Sequence, residues 1–323
     1  MTFFAKAPGK CILFGEHSVV HGYPAIATAI GRYSKCEIQS NENANIRLIL
    51  KNYNHSISAR SLSELNEKIE PRYRQFANCL TLLNKRHGIS FNGITFTLSS
   101  ELFPSAGLGS SASASVSFIG AIGGHFDLKL NDSKISDLAF KMEREVHGTP
   151  SGIDNTICTF GKTLRYQKDQ FKQIPVHSHL KLMVTYTNMI HETKKAIQRI
   201  NTLKNRNPKL IEEIFKAINL IVNQAEMELI KGNIKKLGAL LNKNQQYLEK
   251  MNVSNDTISE VISIASANGA LGSKLTGAGL GGCVISIAPE KDLGNLSKLM
   301  NQKGYSSFIT SINKGGVQLG KSG

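Results

Sequence analysis

Apolar and polar positions alternate at short range through the first third of the chain, which favours strands. Four segments carry β-branched and apolar residues at strand length, at positions 3–8, 25–39, 45–50 and 93–100. Apolar positions at helical spacing then predict three helices, over 71–86, 110–123 and 132–147. Pro71 suits a first helical turn, Gly88 suits a helix end, and Asp132 is expected to be the N-cap of the third helix.

The second half of the chain has a different pattern. After an expected strand at 181–188, helical periodicity continues to Asn268, with breaks near Pro208, Gly232 and Asn252. A strand at 283–289, a helix at 291–303 and a strand at 306–313 complete the pattern. Strands followed by helices, without regular β-α-β alternation, indicate an α+β protein in two parts. The boundary is expected near 172–182, which gives domains of 1–177 and 178–323.

The composition excludes several classes of protein. A hydrophobic fraction of 41% and a charged fraction of 20% are typical of a globular chain and not of a disordered one. Five scattered cysteines without a C-x-x-C pair argue against a disulfide framework or a structural zinc, and they favour a reducing, cytoplasmic location. No targeting segment is apparent, and the longest uncharged span, 102–126, is too rich in Ser and Gly for a membrane helix.

A net charge of +15 raises the question of an acidic partner. The densest basic segments, 194–209 and 231–236, contain no run of five like charges and no interleaved aromatic residues. They are better interpreted as solvated helix faces than as a nucleic-acid surface. We therefore expect neither a nucleic-acid nor a membrane partner.

The segment PSAGLGSSASAS, at 104–115, is the first candidate for chemistry. Gly107 and Gly109 permit positive φ angles and close approach of a ligand, and Ser110 falls where the next helix begins. A helix start offers free N–H groups and the positive end of its dipole to phosphate oxygens. No Lys follows as in a Walker loop, and no third glycine as in a dinucleotide fingerprint. A Gly/Ser turn with a helix cap is the alternative.

Two further segments are rich in glycine or in charged residues. KLTGAGLGGC, at 274–283, has four glycines in six positions, which would let its backbone approach another group or form a tight crossover beside a sheet. APGKCILFGEHSVVHGYPA, at 7–25, is expected to present Lys10, Glu16 and His17 on a turn between strands. The alternatives there are a solvated loop lysine and a surface ion pair.

The segment MEREVHGTPSGIDN, at 142–155, carries the remaining candidates. Glu143 and Glu145 fall on opposite margins of the apolar stripe of the predicted helix, so periodicity does not choose between them. Asp154 follows the turn-forming residues TPSG and is expected at the edge of a cleft. An Asx-turn or a helix cap would also account for an Asp there.

Together, and in this order, these four segments resemble the three signature motifs and the catalytic aspartate of the GHMP kinase superfamily. The match spans residues 5–283, and GEHSVVHGYPA is similar to the first motif of mevalonate kinases rather than that of galactokinases. The resemblance implies a ribosomal-protein-S5-like N-terminal domain that binds ATP and a helix-rich, ferredoxin-like C-terminal domain. It implies transfer of phosphate from ATP to the 5-hydroxyl of mevalonate in isoprenoid precursor synthesis. Phosphomevalonate kinase, mevalonate 3-kinase and an inactive GHMP-fold binding protein are the alternatives.

The resemblance also assigns roles to residues. Asp154 and Lys10 are implied as catalytic, and Ser111 with Glu143 as the Mg²⁺ ligands, Glu143 because it precedes the aspartate by the family's spacing. The expected ATP-binding residues are Pro104, Ala106, Gly107, Leu108, Gly109, Ser110, Ser111 and Ala112. The expected substrate-binding residues are Lys10, Glu16, His17, Ser151, Asp154, Thr193, Gly277 and Ala278. The segment NMIHETKK departs from the family pattern at His191 and Glu192. The expected partners are mevalonate, ATP and, for a homodimer, a second copy of the chain.

Overall fold

The computed structural model describes residues 2–147, 151–168, 170–176 and 180–322. Its architecture is mixed α and β, as predicted. The strands are β1 Thr2–Phe14, β2 Ala25–Ser40, β3 Ile46–Leu50, β4 His55–Ala59, β5 Ile94–Ser100, β6 Thr163–Gln167, β7 Gln170–Gln173, β8 Lys181–Tyr186, β9 Gly272–Thr276, β10 Cys283–Ile287, β11 Ser307–Ser311 and β12 Gln318–Ser322. The helices are α1 Leu62–Lys68, α2 Arg74–His87, α3 Ser110–His125, α4 Asp132–His147, α5 Ile153–Phe160, α6 Thr193–Arg206, α7 Pro208–Lys231, α8 Ile234–Lys250, α9 Asp256–Ala267 and α10 Glu290–Gln302.

The larger sheet has the order β12-β1-β2-β5-β3-β4, with β6 and β7 added beside β2. Its centre is the long antiparallel pair of β1 and β2, in which Lys10 is opposite Ala29. Helix α3 packs on this pair, and its Val116, Phe118 and Ile119 are fully buried. The outer strand β12 pairs with β1, so the described chain returns to its first sheet near its C-terminal end.

The smaller sheet is antiparallel, with the order β11-β8-β10-β9. Strands β9 and β10 are buried along their whole length, because α8 and α9 pack against them. The apolar face of α7 extends this core to the larger sheet, where Phe215 belongs to the same cluster as Ile26 and Ile30. The two sheets are therefore joined by a continuous hydrophobic core.

Most of the predicted elements are present, with shifts of a few residues at their ends. Two expectations were wrong. Asn131 caps α4 in place of Asp132, because the Asn131 Oδ1 accepts a hydrogen bond from the Lys134 N–H at 2.9 Å. Lys10 does not lie on a turn: it is inside β1 and only 3% exposed. The boundary between 1–177 and 178–323 stays a prediction.

All five cysteines are buried and have free thiols. Among the described helices, none is long and apolar enough to cross a bilayer.

Candidate active site

The loop before α3 is shaped to receive an anion. Gly107 and Gly109 adopt φ angles of 81° and 69°, and Gly109 is the N-cap of α3. The first hydrogen bond of the helix runs from the Ser113 N–H to the Gly109 carbonyl, so the preceding N–H groups have no helical acceptor. The Leu108 carbonyl accepts from the Lys10 N–H at 2.9 Å and ties the loop to β1. This geometry favours a phosphate cradle over a mere turn.

Ser111 and Glu143 meet just behind this loop. The Ser111 hydroxyl donates to Glu143 Oε1 at 2.6 Å, and Glu143 is 5% exposed. Burial raises the pKa of Glu143 to about 7, while the hydrogen bond from Ser111 opposes the increase. Glu145, by contrast, is exposed and accepts a hydrogen bond from Asn78 at 2.7 Å. The two glutamates that periodicity left equivalent therefore have different surroundings.

Lys10 and Asp154 form an ion pair beside the same loop. The distance from Lys10 Nζ to Asp154 Oδ1 is 3.1 Å; the lysine side chain is 4% exposed and the aspartate 36%. Asp154 lies in the first turn of α5, which follows Gly152 in a left-handed conformation. A Cβ on Gly109 would lie 2.9 Å from Lys10 Cγ and 3.7 Å from Asp154 Oδ2. The glycine thus makes room for this pair against the phosphate loop.

The second glycine-rich loop, 276–282, contacts protein backbone at every glycine. Cβ atoms on Gly277 and Gly282 would lie 3.1 Å from the Gly107 Cα and 2.9 Å from the Ala106 carbonyl oxygen. A Cβ on Gly279 would lie 2.1 Å from the Val253 carbonyl oxygen. The glycines therefore allow the loop to pack on the phosphate loop and on the segment before α9. At these positions the close approach that the glycines permit is to the protein's own backbone.

Glu16 and His17 follow β1 and face this second loop. The His17 Nε2–H donates to the Ala278 carbonyl at 2.9 Å, and burial lowers the pKa of His17 to about 4, so its ring is neutral. Glu16 forms a fully buried ion pair with Lys274. Burial raises the pKa of Glu16 and lowers that of Lys274, against their mutual attraction. The alternative of a surface ion pair is excluded.

Lys274 is a residue that sequence reasoning missed. It lies in β9, its side chain is completely buried, and its Nζ also donates to the Leu275 carbonyl. No local pattern indicates that a lysine in the run SKLT will meet a glutamate 258 residues away. The only signal available was that a charged residue in an otherwise buried strand needs a partner.

The remaining predicted residues are less closely joined to this cluster. Ser151 lies just before α5, and its carbonyl accepts a hydrogen bond from Tyr166 at 2.8 Å. Thr193 is exposed at the start of α6, and among the described residues no hydrogen bond or ion pair links it to the other predicted site residues. Its segment reaches the site through His191, whose N–H donates to the Ser105 carbonyl at 3.1 Å.

Comparison with known proteins gives consistent matches along the chain. Residues 73–162 match the family model of the GHMP kinases N terminal domain, and residues 225–306 match the GHMP kinases C terminal model. A mevalonate kinase of Thermococcus sibiricus is 33% identical over 330 residues, covering 99% of this chain and 98% of that protein.

Solved structures agree with these sequence matches. The crystal structure of the Methanococcus jannaschii mevalonate kinase superposes with a TM-score of 0.86 at 29% identity, covering 96% of this chain and 98% of that one. The L. major mevalonate kinase in complex with R-mevalonate gives a TM-score of 0.81 at 27% identity, covering 96% of each chain.

Proposed function

Because this chain belongs to the mevalonate kinases of the GHMP kinase family, we propose that it transfers the γ-phosphoryl group of ATP to the 5-hydroxyl of mevalonate. The products are 5-phosphomevalonate and ADP, in the synthesis of isoprenoid precursors. The observation that carries this proposal is the ion pair of Lys10 and Asp154 beside Gly109 of the phosphate loop. Phosphoryl transfer to an alcohol needs a group that receives or orients the hydroxyl proton and a cation near the transferred phosphate.

The phosphate loop supplies the nucleotide site. The N–H groups of Ser110, Ser111 and Ala112 precede the first hydrogen bond of α3 and are available to the β- and γ-phosphates. The residues from Pro104 to Gly109 form the surface over which the triphosphate lies. The loop holds the triphosphate in position by hydrogen bonds and charge. This is most of what phosphoryl transfer requires of the protein, since the reaction needs little covalent chemistry from it.

Ser111 and Glu143 fit a Mg²⁺ ion. Their hydroxyl and carboxylate are the hard oxygen donors that Mg²⁺ prefers, and this ion commonly binds through one or two protein groups together with substrate phosphates and water. When bound, Mg²⁺ neutralises phosphate charge. The described residues contain no cluster of three or more His, Cys, Asp or Glu that could hold a metal without a nucleotide.

Asp154 and Lys10 have separate roles in the transfer step. Asp154 accepts or orients the proton of the mevalonate 5-hydroxyl, since it is the more exposed partner and a substrate can reach it. Lys10 is nearly buried and points its ammonium toward the same place, where it stabilises charge on the transferred group. The pair thus holds the attacking oxygen and the γ-phosphate together.

We propose that the substrate pocket surrounds this pair and is lined by His17, Ser151, Thr193, Gly277 and Ala278, with Glu16, which is fully buried against Lys274, supporting its wall. The bond from His17 to the Ala278 carbonyl fixes one wall, and the neutral imidazole adds no charge there. A short acid with one carboxylate and one primary hydroxyl suits such a pocket. A phosphate already on that acid would compete for the space of the transferred group.

The location and the partners belong to the same proposal. Five buried free thiols support a reducing, cytoplasmic environment. Mevalonate and ATP are the small-molecule partners.

A second copy of the chain is the proposed macromolecular partner. Helix α7 exposes three large apolar side chains to solvent, Leu220 at 62%, Met227 at 56% and Ile230 at 49%.

A substrate panel tests the activity. Mevalonate, phosphomevalonate, galactose and homoserine are offered with MgATP in a coupled ADP-release assay, and NMR identifies the phosphorylated oxygen. We expect phosphorylation of mevalonate at O5 with kcat/KM at least about 100-fold above the others, because buried polar groups reach that discrimination. Transfer to O3 or a preference for phosphomevalonate would favour a related kinase, and no turnover with any compound would favour an inactive binding protein.

A further inference from the structure

The turn that leads into α5 is held by a tyrosine from another element. The Tyr166 hydroxyl donates to the Ser151 carbonyl at 2.8 Å, and this carbonyl is three residues before Asp154. A Cβ on Gly152 would lie 2.9 Å from the Tyr166 oxygen, so the hydroxyl packs directly against the turn. Gly152 in turn accepts hydrogen bonds from the N–H and the hydroxyl of Thr156, which close the first turn of α5.

The Tyr166 ring has a fixed position. It lies on β6 opposite Ala25 of β2 and is 6% exposed. It belongs to a small apolar cluster that includes Ile153 and Ile157 of α5. The hydroxyl is therefore carried by the sheet itself and not by a flexible surface side chain.

A second contact holds α5 on the other side of Asp154. The Asn155 side-chain N–H groups donate to the Ser136 hydroxyl at 2.9 Å and to the Ser136 carbonyl at 3.2 Å, and both residues are buried. Asp154 thus lies between a turn fixed to β6 and a residue fixed to α4. Its carboxylate is left free to face Lys10 and the cleft.

We propose that Tyr166 is a positioning residue for Asp154: its hydroxyl sets where the first turn of α5 presents the carboxylate. The proposal rests on the proposed function, in which Asp154 acts on the mevalonate hydroxyl. Tyr166 acts on Asp154 through its contact with the Ser151–Gly152 peptide. A small displacement of a reacting group is costly in catalysis, since a misplacement of about 1 Å can reduce the rate by about 100-fold.

The direct test is Tyr166→Phe, with Tyr23→Phe as the matched control. Tyr23 also donates a hydrogen bond through its hydroxyl, to Glu212 at 2.6 Å, but α7 and not α5 carries its acceptor. We expect Tyr166→Phe to lower kcat about tenfold, with the KM values for ATP and mevalonate within about twofold of the wild type. Tyr23→Phe should leave both parameters unchanged. A raised KM for mevalonate at normal kcat would overturn the proposal, because Tyr166 would then act on substrate binding at Ser151.

A double-mutant cycle separates positioning from general stability. In an Asp154→Asn background the loss of the hydroxyl should cost no further rate, since the group that it positions is already disabled. An equal loss of kcat in both backgrounds would indicate a structural role only and would overturn the proposal. If Tyr166→Phe does not fold, Asn155→Ala loosens the same turn from the other side and should give the same selective loss of kcat. An inactive wild type would refute the proposed function itself, whereas an active wild type with an unaffected Tyr166→Phe would refute this inference alone.

Discussion

Asp154 offers the sharpest test at the scale of single residues. Asp154→Asn keeps the size of the side chain and removes its charge and basicity, so the fold and nucleotide binding should persist. We expect kcat to fall by about 10²–10⁴-fold, the range of general acid–base contributions. Single-turnover measurements with ATP and mevalonate check the rate, and nucleotide titration checks binding. A near-normal kcat would remove Asp154 from the mechanism.

The two glutamates of α4 provide a built-in comparison for the metal site. Glu143 is buried against Ser111, whereas Glu145 is exposed against Asn78. We therefore expect Ser111→Ala and Glu143→Gln to raise the Mg²⁺ concentration needed for half-maximal activity, and Glu145→Gln to leave it unchanged. Mg²⁺ titration at fixed ATP measures the difference. Sensitivity at position 145 in place of 143 would contradict the assignment.

His17 should make stability depend on pH. Its pKa is about 4 in the folded protein and about 6.5 in an unfolded chain, so between these values the unfolded state binds more protons. Stability is therefore full above pH 6.5 and decreases as the pH falls toward 4. Because the His17 ring is half-buried, we expect the free energy of unfolding to fall by about 1–2 kcal/mol between pH 7 and pH 5.

The control for this effect is His17→Gln, which keeps an N–H donor for the Ala278 carbonyl. Urea unfolding of both proteins across this pH range isolates the contribution of His17, because the other titrating groups are shared. If the free energy of unfolding depended on pH in the same way in both proteins, the pKa of His17 would not change on folding.

At the scale of elements, β1 and β9 are joined by buried polar contacts. The Ile12 N–H and carbonyl both bond to the Thr276 hydroxyl, at 2.9 and 3.0 Å, and Glu16 pairs with Lys274 nearby. Lys274→Met would leave the Glu16 carboxylate buried without its counter-charge. We expect this variant to lower the free energy of unfolding by about 3–5 kcal/mol.

The double variant Glu16→Gln with Lys274→Met distinguishes loss of pairing from loss of packing. It removes both charges, so most of the lost stability should return. Denaturant midpoints for the three proteins provide the measurement. If the double variant were less stable than Lys274→Met, the destabilisation would come from altered packing and not from an unpaired charge.

Elements with a strong local pattern could be predicted, and those defined by distant contacts could not. The long helices α7 and α8 follow from their apolar stripes, and α3 follows from its glycine-led start. Helix α5 was not predicted: it has eight residues, too few to show a helical period, and it begins at a glycine without a side-chain cap. The pairing of β6 with β2 and the contact of Lys274 with Glu16 depend on tertiary structure alone.

The same limit applied to the site. Its main cluster, which includes Lys10, Ser111, Glu143 and Asp154, was reached through family motifs, because composition and spacing left alternatives open in each segment. The sequence does not show which side chains are buried. No local pattern distinguishes Glu143 from Glu145 or indicates that Lys10 lies inside a strand. Those differences arise only when α4 and β1 pack around α3.

For the whole molecule, the exposed apolar residues of α7 predict self-association. Leu220 and Met227 are seven residues apart and share one face of the helix, with Ile230 beside them. We expect a dimer by analytical ultracentrifugation, with about 800 Å² buried on each copy if the interface is of ordinary size. Leu220→Lys should shift the mass toward the monomer while its circular dichroism spectrum stays that of the folded wild type. A monomeric wild type across a wide concentration range would refute the proposed homodimer.

The pairing of β12 with β1 has a consequence for how the protein is made. Ser322 is the partner of Thr2, so the outer edge of the first strand is covered by a segment synthesised roughly 300 residues later. At about 5–20 residues per second, a nascent chain exposes that edge for roughly 15–60 s. An uncovered strand edge is a template for pairing with other chains. The larger sheet is therefore unfinished until the last strand leaves the ribosome, and chaperones that shield its open edge during this interval should matter more for the yield of the protein than for its final stability.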